Sequence, residues 1–187
     1  MDDKPFDRDC LDRLVREVGD LGPICDLGCG PGQIARYLHR QGVETLGVDL
    51  SQNMIAEAQR LNPEIHFHQG NMLSLPDADE SWGGIAAFYC ILHIPLQQIV
   101  EAFLEMRRVL KPGGVLLITF HPGTEPKHLA EWWGKPVNLD FGFYLPSEME
   151  AWLGEAGFEV METLTREPNP EVEVATQRAY LFARRPK

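Results

Sequence analysis

Three groups of residues in this chain are of types and spacings that can do chemistry. The first is the glycine run Gly28-Cys29-Gly30-Pro31-Gly32, directly after the apolar stretch Ile24-Cys25-Asp26-Leu27. Alternate glycines leave a stretch of backbone without Cβ atoms, so a ligand can lie against it and the turn can use φ > 0. From Gln33 the pattern turns helical, with Ile34, Tyr37 and Leu38 at i, i+3 and i+4. The free N–H groups of that helix start face the same place. The second group is a single acid, Asp49, the last polar residue of the stretch 45–50. It falls roughly 20 residues after the glycine turn, where a carboxylate can grip both hydroxyls of a ribose. The third group is His93 and His121, each just past an apolar run. An imidazole with a free pKa near 6.5 suits proton abstraction at neutral pH.

The elements that must position these groups follow from periodicity. Pro5 opens a helix with Leu11, Leu14, Val15 and Val18 on one face. Residues 23–27, 45–50, 65–69, 82–90 and 115–120 read as five strands. Helices over 33–41, 51–60 and 95–110 alternate with them, the second capped by Ser51. Lys111-Pro112-Gly113-Gly114 breaks the last of these sharply. Residues 121–145 show no period and read as a long irregular segment. A helix over 147–156, capped by Ser147, leads to two final strands over 158–166 and 178–184. Alternation of strand and helix implies right-handed βαβ units and a parallel sheet. The expected fold is therefore α/β: a Rossmann-like, seven-stranded, mostly parallel sheet with an antiparallel C-terminal hairpin strand and helices on both faces. Ligands of such sheets bind beyond the carboxyl ends of the strands, so residues there are the site candidates.

Composition sets outer limits. The 187 residues suit one domain with a sizeable core, and the reading is a single domain over 1–187. A net charge of −11 argues against a broad phosphate-binding face, hence against nucleic acid. No run of 18 apolar residues is present, and the charged first twenty residues lack a signal peptide's apolar core. A cytoplasmic protein without a membrane partner is expected. Cys10, Cys25, Cys29 and Cys90 form no ligand cluster, so neither zinc nor disulfides are expected. His39, His66 and His68 read as solvent-facing.

The spacing of the glycines excludes one ligand class. A dinucleotide fingerprint would need glycine at position 33, where Gln33 stands, and this argues against a nicotinamide-dependent oxidoreductase. Asp26-x-Gly28-x-Gly30-x-Gly32 instead resembles motif I of the class I S-adenosylmethionine (SAM) methyltransferases. Gly47-Val48-Asp49-Leu50-Ser51, the stretch Phe88-Tyr89-Cys90-Ile91-Leu92-His93-Ile94 and the turn Leu110-Lys111-Pro112-Gly113-Gly114 extend the resemblance over roughly residues 6–120. The absence of an Asn/Asp-Pro-Pro-Tyr/Phe signature is similar to the small-molecule branch, such as enzymes of ubiquinone and menaquinone biosynthesis. The resemblance implies SAM as cofactor, with S-adenosylhomocysteine as product, and a methyl transfer to O, N or C of a small organic acceptor by in-line displacement. It implies cofactor binding by Asp26, Gly28, Gly30, Gly32, Asp49, Leu50, Asn71, Met72 and Phe88. Asn71 stands where the family often has an acid for the adenine amino group; its side-chain oxygen can accept that bond without charge.

His93 and His121 are the candidate catalytic residues, and Tyr89, Trp132, Trp133 and Tyr144, with Phe141 and Phe143, a candidate acceptor wall. Adjacent tryptophans in an irregular segment either close the core or line a pocket. Small-molecule members carry further helices ahead of the one that begins here at Pro5. Either this sequence is a truncated form, or the cover is expected from residues 121–145 or from a second subunit in a homodimer. The missing cover also motivates an alternative reading, a SAM-binding module without catalysis.

Overall fold

The computed structural model describes residues 3–125, 127–132 and 134–187, less the side chains of Trp132 and Leu139. In chain order the elements are α1 (Pro5–Val18), β1 (Ile24–Leu27), α2 (Gln33–Arg40), β2 (Thr45–Asp49), α3 (Gln52–Leu61), β3 (His66–Gln69) and β4 (Trp82–Phe88). There follow α4 (Ile99–Val109), β5 (Leu110–Phe120), β6 (Lys127–Trp132), β7 (Lys135–Phe141), α5 (Pro146–Glu155), β8 (Glu159–Arg166) and β9 (Arg178–Arg184). Seven strands form one sheet in the order β3-β2-β1-β4-β5-β9-β8. The first five are parallel, and β9 runs antiparallel between β5 and β8. The expected fold class is borne out. Strand order reverses between β1 and β4, so a crevice opens at their carboxyl ends, the usual ligand position in such sheets.

Alternation along the central strands sends side chains to two cores. Ile85, Ala87, Leu116 and Ile118 pack under α4 and α5 with Phe103, Met106 and Leu153. Ala86, Val115 and Leu117 pack on the other face against Leu11, Leu14 and Val18 of α1. A third group, Cys29, Ile55, Ala58 and Phe67, closes α3 onto the glycine turn. Burial of this kind is worth about 1.5–3 kcal/mol for each large apolar side chain.

Several boundaries differ from those the sequence implies, each for a local reason. Strand β4 stops at Phe88, because Tyr89 takes φ 53 and leaves the extended region. After Pro95 the chain first makes a tight turn, Leu96–Gln98, and α4 begins only at Ile99. Lys111 to Gly114 bulge out between the paired residues Leu110 and Val115, so the strand begins before the break rather than after it. The cap of α5 is Leu145, not Ser147: Pro146 occupies the first helical position and the Glu148 carboxylate accepts the Leu145 N–H at 2.7 Å. Residues 121–145 are not irregular throughout. They hold the antiparallel hairpin β6–β7, which turns through Gly134 at φ 73. His68 is not solvent-facing but half-buried, its Nε2 2.9 Å from Asp77.

Asp26, at the end of β1, is 1% exposed, and one of its carboxylate oxygens accepts the Ala35 N–H at 2.9 Å, pinning the first turn of α2. Burial pushes its carboxyl up to about 7, opposed by the Ala35 bond and reinforced by Asp49. A carboxyl raised on folding holds its proton in the native state while the unfolded chain has lost it. Stability therefore falls as pH rises from about 4 to about 7. Asp26→Asn keeps an oxygen for Ala35 and removes the charge. It is expected to gain stability over the parent chain progressively across that window, by a few kcal/mol at most, in denaturant titrations at pH 5 and 8. Gly28→Ala is expected to destabilise by about 1–3 kcal/mol, since φ there is 72 and its Cβ would lie 2.4 Å from that of Cys90. Thermal melting of the variant checks this.

Candidate functional site

The crevice between β1 and β4 is a cavity of about 800 Å³. The glycine turn forms one wall. Gly28 and Cys29 donate their N–H groups to the Val48 carbonyl at 2.7 and 3.0 Å, folding the turn onto the end of β2. Gly28, Gly30 and Gly32 all have positive φ, at 72, 50 and 79. Their surroundings separate them. A Cβ on Gly28 would strike Cys90, and one on Gly32 would lie 2.7 Å from the Phe67 ring. At Gly30 nothing stands within 4 Å, and Gly30 lines the cavity. The outer two glycines are needed for packing; the middle one leaves bare backbone open to a ligand.

Asp49 sits beside that opening. One carboxylate oxygen accepts the Gly30 N–H at 2.9 Å and the other the Ser51 N–H at 2.8 Å. A carboxylate offers about four lone-pair sites, so two remain for a ligand. The acid is thus a cap for the start of α3 and a cavity-facing acceptor at once. Ser51 completes the cap, its hydroxyl accepting the Met54 N–H at 3.4 Å. Leu50 stands at the rim, 66% exposed. Across the cavity lie Asn71 and Met72. The Asn71 oxygen accepts the Leu73 N–H at 3.0 Å, which makes a local turn and holds the amide in place. Met72 packs its other side on the apolar core.

A smaller cavity of about 310 Å³ adjoins the first. The two share Gly28, Phe88 and Tyr89. Asp26 and Asp7 line only the smaller one, together with Lys4. Asp7, from the first turn of α1, is a site neighbour that the sequence reading did not single out.

The two histidines are placed differently. His93 lines the large cavity, its ring 5.0 Å from that of Phe141. Burial lowers its pKa, partly opposed by the Asp140 backbone carbonyl and the charge of Asp49, so the ring is neutral at pH 7. His121 lines neither cavity. It stacks on Tyr89 at 4.8 Å and 23°, and burial lowers its pKa too. Tyr89 itself lines both cavities, and burial pushes its phenol up to about 12. Tyr144 faces away: it is 7% exposed, donates its hydroxyl to the Ile94 carbonyl at 3.3 Å, and meets Trp152 edge-on. Trp133 and the side chain of Trp132 lie outside the described residues.

Asn138 and Asp140 also line the large cavity. They belong to β7, and a segment read as irregular gave no signal to find them. Cys29, in the turn, is buried, and burial among acids pushes its thiol well up, so it is no ready nucleophile. Among the described residues no group of histidines, cysteines and acids could hold a metal ion, and no helix is long and apolar enough to cross a membrane.

Comparison with known proteins gives these features a context. Residues 24–114 match a family described as "Methyltransferase domain". The chain is 29% identical over 164 residues to a malonyl-[acyl-carrier protein] O-methyltransferase of Pseudescherichia vulneris, covering 81% of this chain and 63% of that one. It is 31% identical over 143 residues to a demethylmenaquinone methyltransferase of Beutenbergia cavernae, covering 76% and 55%. The chain spans 43–63% of the length of the first three curated relatives it matches. A solved SAM-dependent methyltransferase from Methanosarcina mazei has the same fold, with a TM-score of 0.79 at 18% identity and coverage of 88% and 92%. The stretch that matches the methyltransferase-domain family runs from β1 to the bulge in β5, and so it carries the glycine turn, Asp49, Asn71 and the end of β4.

Proposed function

We propose that this chain transfers a methyl group from SAM to an oxygen, nitrogen or carbon atom of a small organic molecule. The observation that carries the reading is Asp49: a carboxylate fixed by two backbone N–H groups, with lone pairs left over, beside the open backbone of Gly30. That arrangement fits an adenosyl ribose, and Asp49, Gly30 and Met72 border one cavity. SAM supplies, when bound, an activated methyl and its own leaving group.

The residues of the chain then have positional tasks. The backbone at Gly28 and Gly30 takes the ligand close, and Asp49 accepts the ribose hydroxyls. Met72, Leu50 and Phe88 offer apolar contact to the base and its surroundings, with the Asn71 amide at its edge. Asp26 acts from behind, by holding α2, and lines the smaller chamber where a charged tail fits. Holding an acceptor in line with the methyl can supply about 7–11 kcal/mol of the barrier at best. Tyr89 stands where the two chambers meet, and His93 faces the larger one. A neutral imidazole there can take a proton from an acceptor that must lose one. Tyr144, Trp132 and Trp133 remain acceptor-side proposals, Tyr144 through its support of Ile94 rather than by direct lining. A small-molecule acceptor suits a cavity of this size better than a polymer does, and the net charge of −11 disfavours an anionic one.

Calorimetry of the full chain with S-adenosylhomocysteine is the primary test, and absence of binding would end this reading. Asp49→Ala is expected to weaken binding roughly a hundredfold or more, since two charge-assisted hydrogen bonds are lost. Asp49→Asn, which keeps one good acceptor, falls between. With a protic acceptor in hand, turnover should rise with pH through a pKa below the ordinary histidine value of 6.5 and level off by neutrality. His93→Ala should remove that step and lower kcat about 10²–10⁴-fold. An unchanged profile would exclude His93 as the base.

A further inference from the structure

The loop between β8 and β9, residues 167–177, carries an unusual charge. Glu173 lies in a mostly exposed stretch, yet its side chain is 1% exposed. Arg166 holds it with two nitrogens, at 2.7 and 2.8 Å, and Arg178 approaches to 3.3 Å. The Asn169 N–H adds a fourth contact at 2.7 Å. The Arg166 guanidinium holds the Glu173 carboxyl down at about 2, so it stays ionised through the physiological range. Arg166 also donates to the Tyr180 hydroxyl at 2.8 Å, and that hydroxyl donates to Asp7 of the small chamber.

The far end of the loop reaches the site. Arg178 donates to the carbonyls of Val174 and Thr176, fixing the chain just before Gln177. The Gln177 carbonyl then lies 3.2 Å from Nδ1 of His121, and the Thr176 hydroxyl 3.0 Å from the same atom. A carbonyl only accepts, whereas a hydroxyl can accept as well as donate, so a proton on Nδ1 satisfies both partners and leaves the lone pair on Nε2. The imidazole so fixed stacks on Tyr89, which lines both chambers and holds a strained φ of 53. Nothing in a plain antiparallel connection calls for a buried carboxylate between two arginines; such an arrangement is costly unless each partner stays paired.

We propose that Glu173, by clamping the 167–177 loop, fixes His121 in its Nδ1–H tautomer and thereby sets the plane of Tyr89 where the two chambers meet. Glu173 is then a positioning residue for cofactor and acceptor. This rests on the methyltransferase reading for its consequence but not for its geometry. The test is a long-range proton–nitrogen spectrum of the ¹⁵N-labelled full chain, read alongside S-adenosylhomocysteine affinity. The ligand-free parent should show His121 with Nδ1 protonated and Nε2 bare. Glu173→Gln should shift His121 to a mixture of tautomers and weaken S-adenosylhomocysteine on the order of tenfold. Arg178→Lys keeps the charge but has one nitrogen where Arg178 uses two, Nη1 on the Val174 and Thr176 carbonyls and Nε on Glu173; it should do the same more weakly, and it serves if Glu173→Gln does not fold. A parent His121 protonated at Nε2 would overturn the proposal. So would unchanged His121 signals in the folded variants, or unchanged affinity. Failure of the parent to bind S-adenosylhomocysteine would strike the methyltransferase reading instead, leaving the tautomer to be decided by the spectrum alone.

Discussion

The carboxylate of Asp49 is the point on which the site depends. It ends one strand, yet its two oxygens accept from two different loops, the glycine turn after β1 and the start of α3. Each bond joins a full charge to an amide dipole, the stronger class of hydrogen bond in proteins. Together they hold the glycine turn and the start of α3 at a fixed separation. A hollow with rigid walls is what a positioning enzyme needs, because freedom removed during folding does not have to be removed again on binding.

Other contacts keep the turn from closing on itself. Asp26 holds the beginning of α2 from below. The buried amide of Asn62 donates to the Pro31 carbonyl at 3.2 Å and to Ala58 at 3.0 Å, tying the turn to the end of α3. Phe67 and Cys90 press where Gly32 and Gly28 have no side chains. At Gly28 and Gly32 the protein's own packing leaves no room for a Cβ, although the Gly28 backbone still borders both cavities, and Gly30 is the one of the three with open space beside it.

What the sequence discloses and what it conceals follow from the range of the interactions. The glycine turn, Asp49 and the alternation of strand and helix are local patterns, and strand ends on a parallel sheet converge for topological reasons. The hairpin β6–β7 was not legible: residues 127–132 alternate poorly, its pairing shifts register between Leu129 and Glu131, and its turn depends on one glycine. With the hairpin hidden, so were Asn138 and Asp140. Tyr144 reads as a pocket residue by type, but its pairing with Trp152 and Ile94 is a tertiary matter. His68 reads as exposed on a short outer strand because its partner Asp77 comes from a loop. The clamp around Glu173 joins α1, β8, the loop and β9, a set of charges that looks in sequence like any solvated stretch.

The two histidines show how one physical effect can serve two ends. Burial keeps both rings neutral, so each holds one proton and one lone pair near pH 7. What differs is where the ring stands. His93 borders the large cavity on a tight turn beyond β4, with Phe141 of the hairpin against its ring, so the imidazole stands beside the space a ligand would take. His121 stands one layer back, with Tyr89 between it and the cavities, so whatever it does reaches the ligand through that ring. Proton handling, in the proposed reading, belongs to the first and orientation to the second. The hairpin braces one and the β8–β9 loop the other, so in the proposed reading two connections carried on a rigid sheet shape the acceptor side.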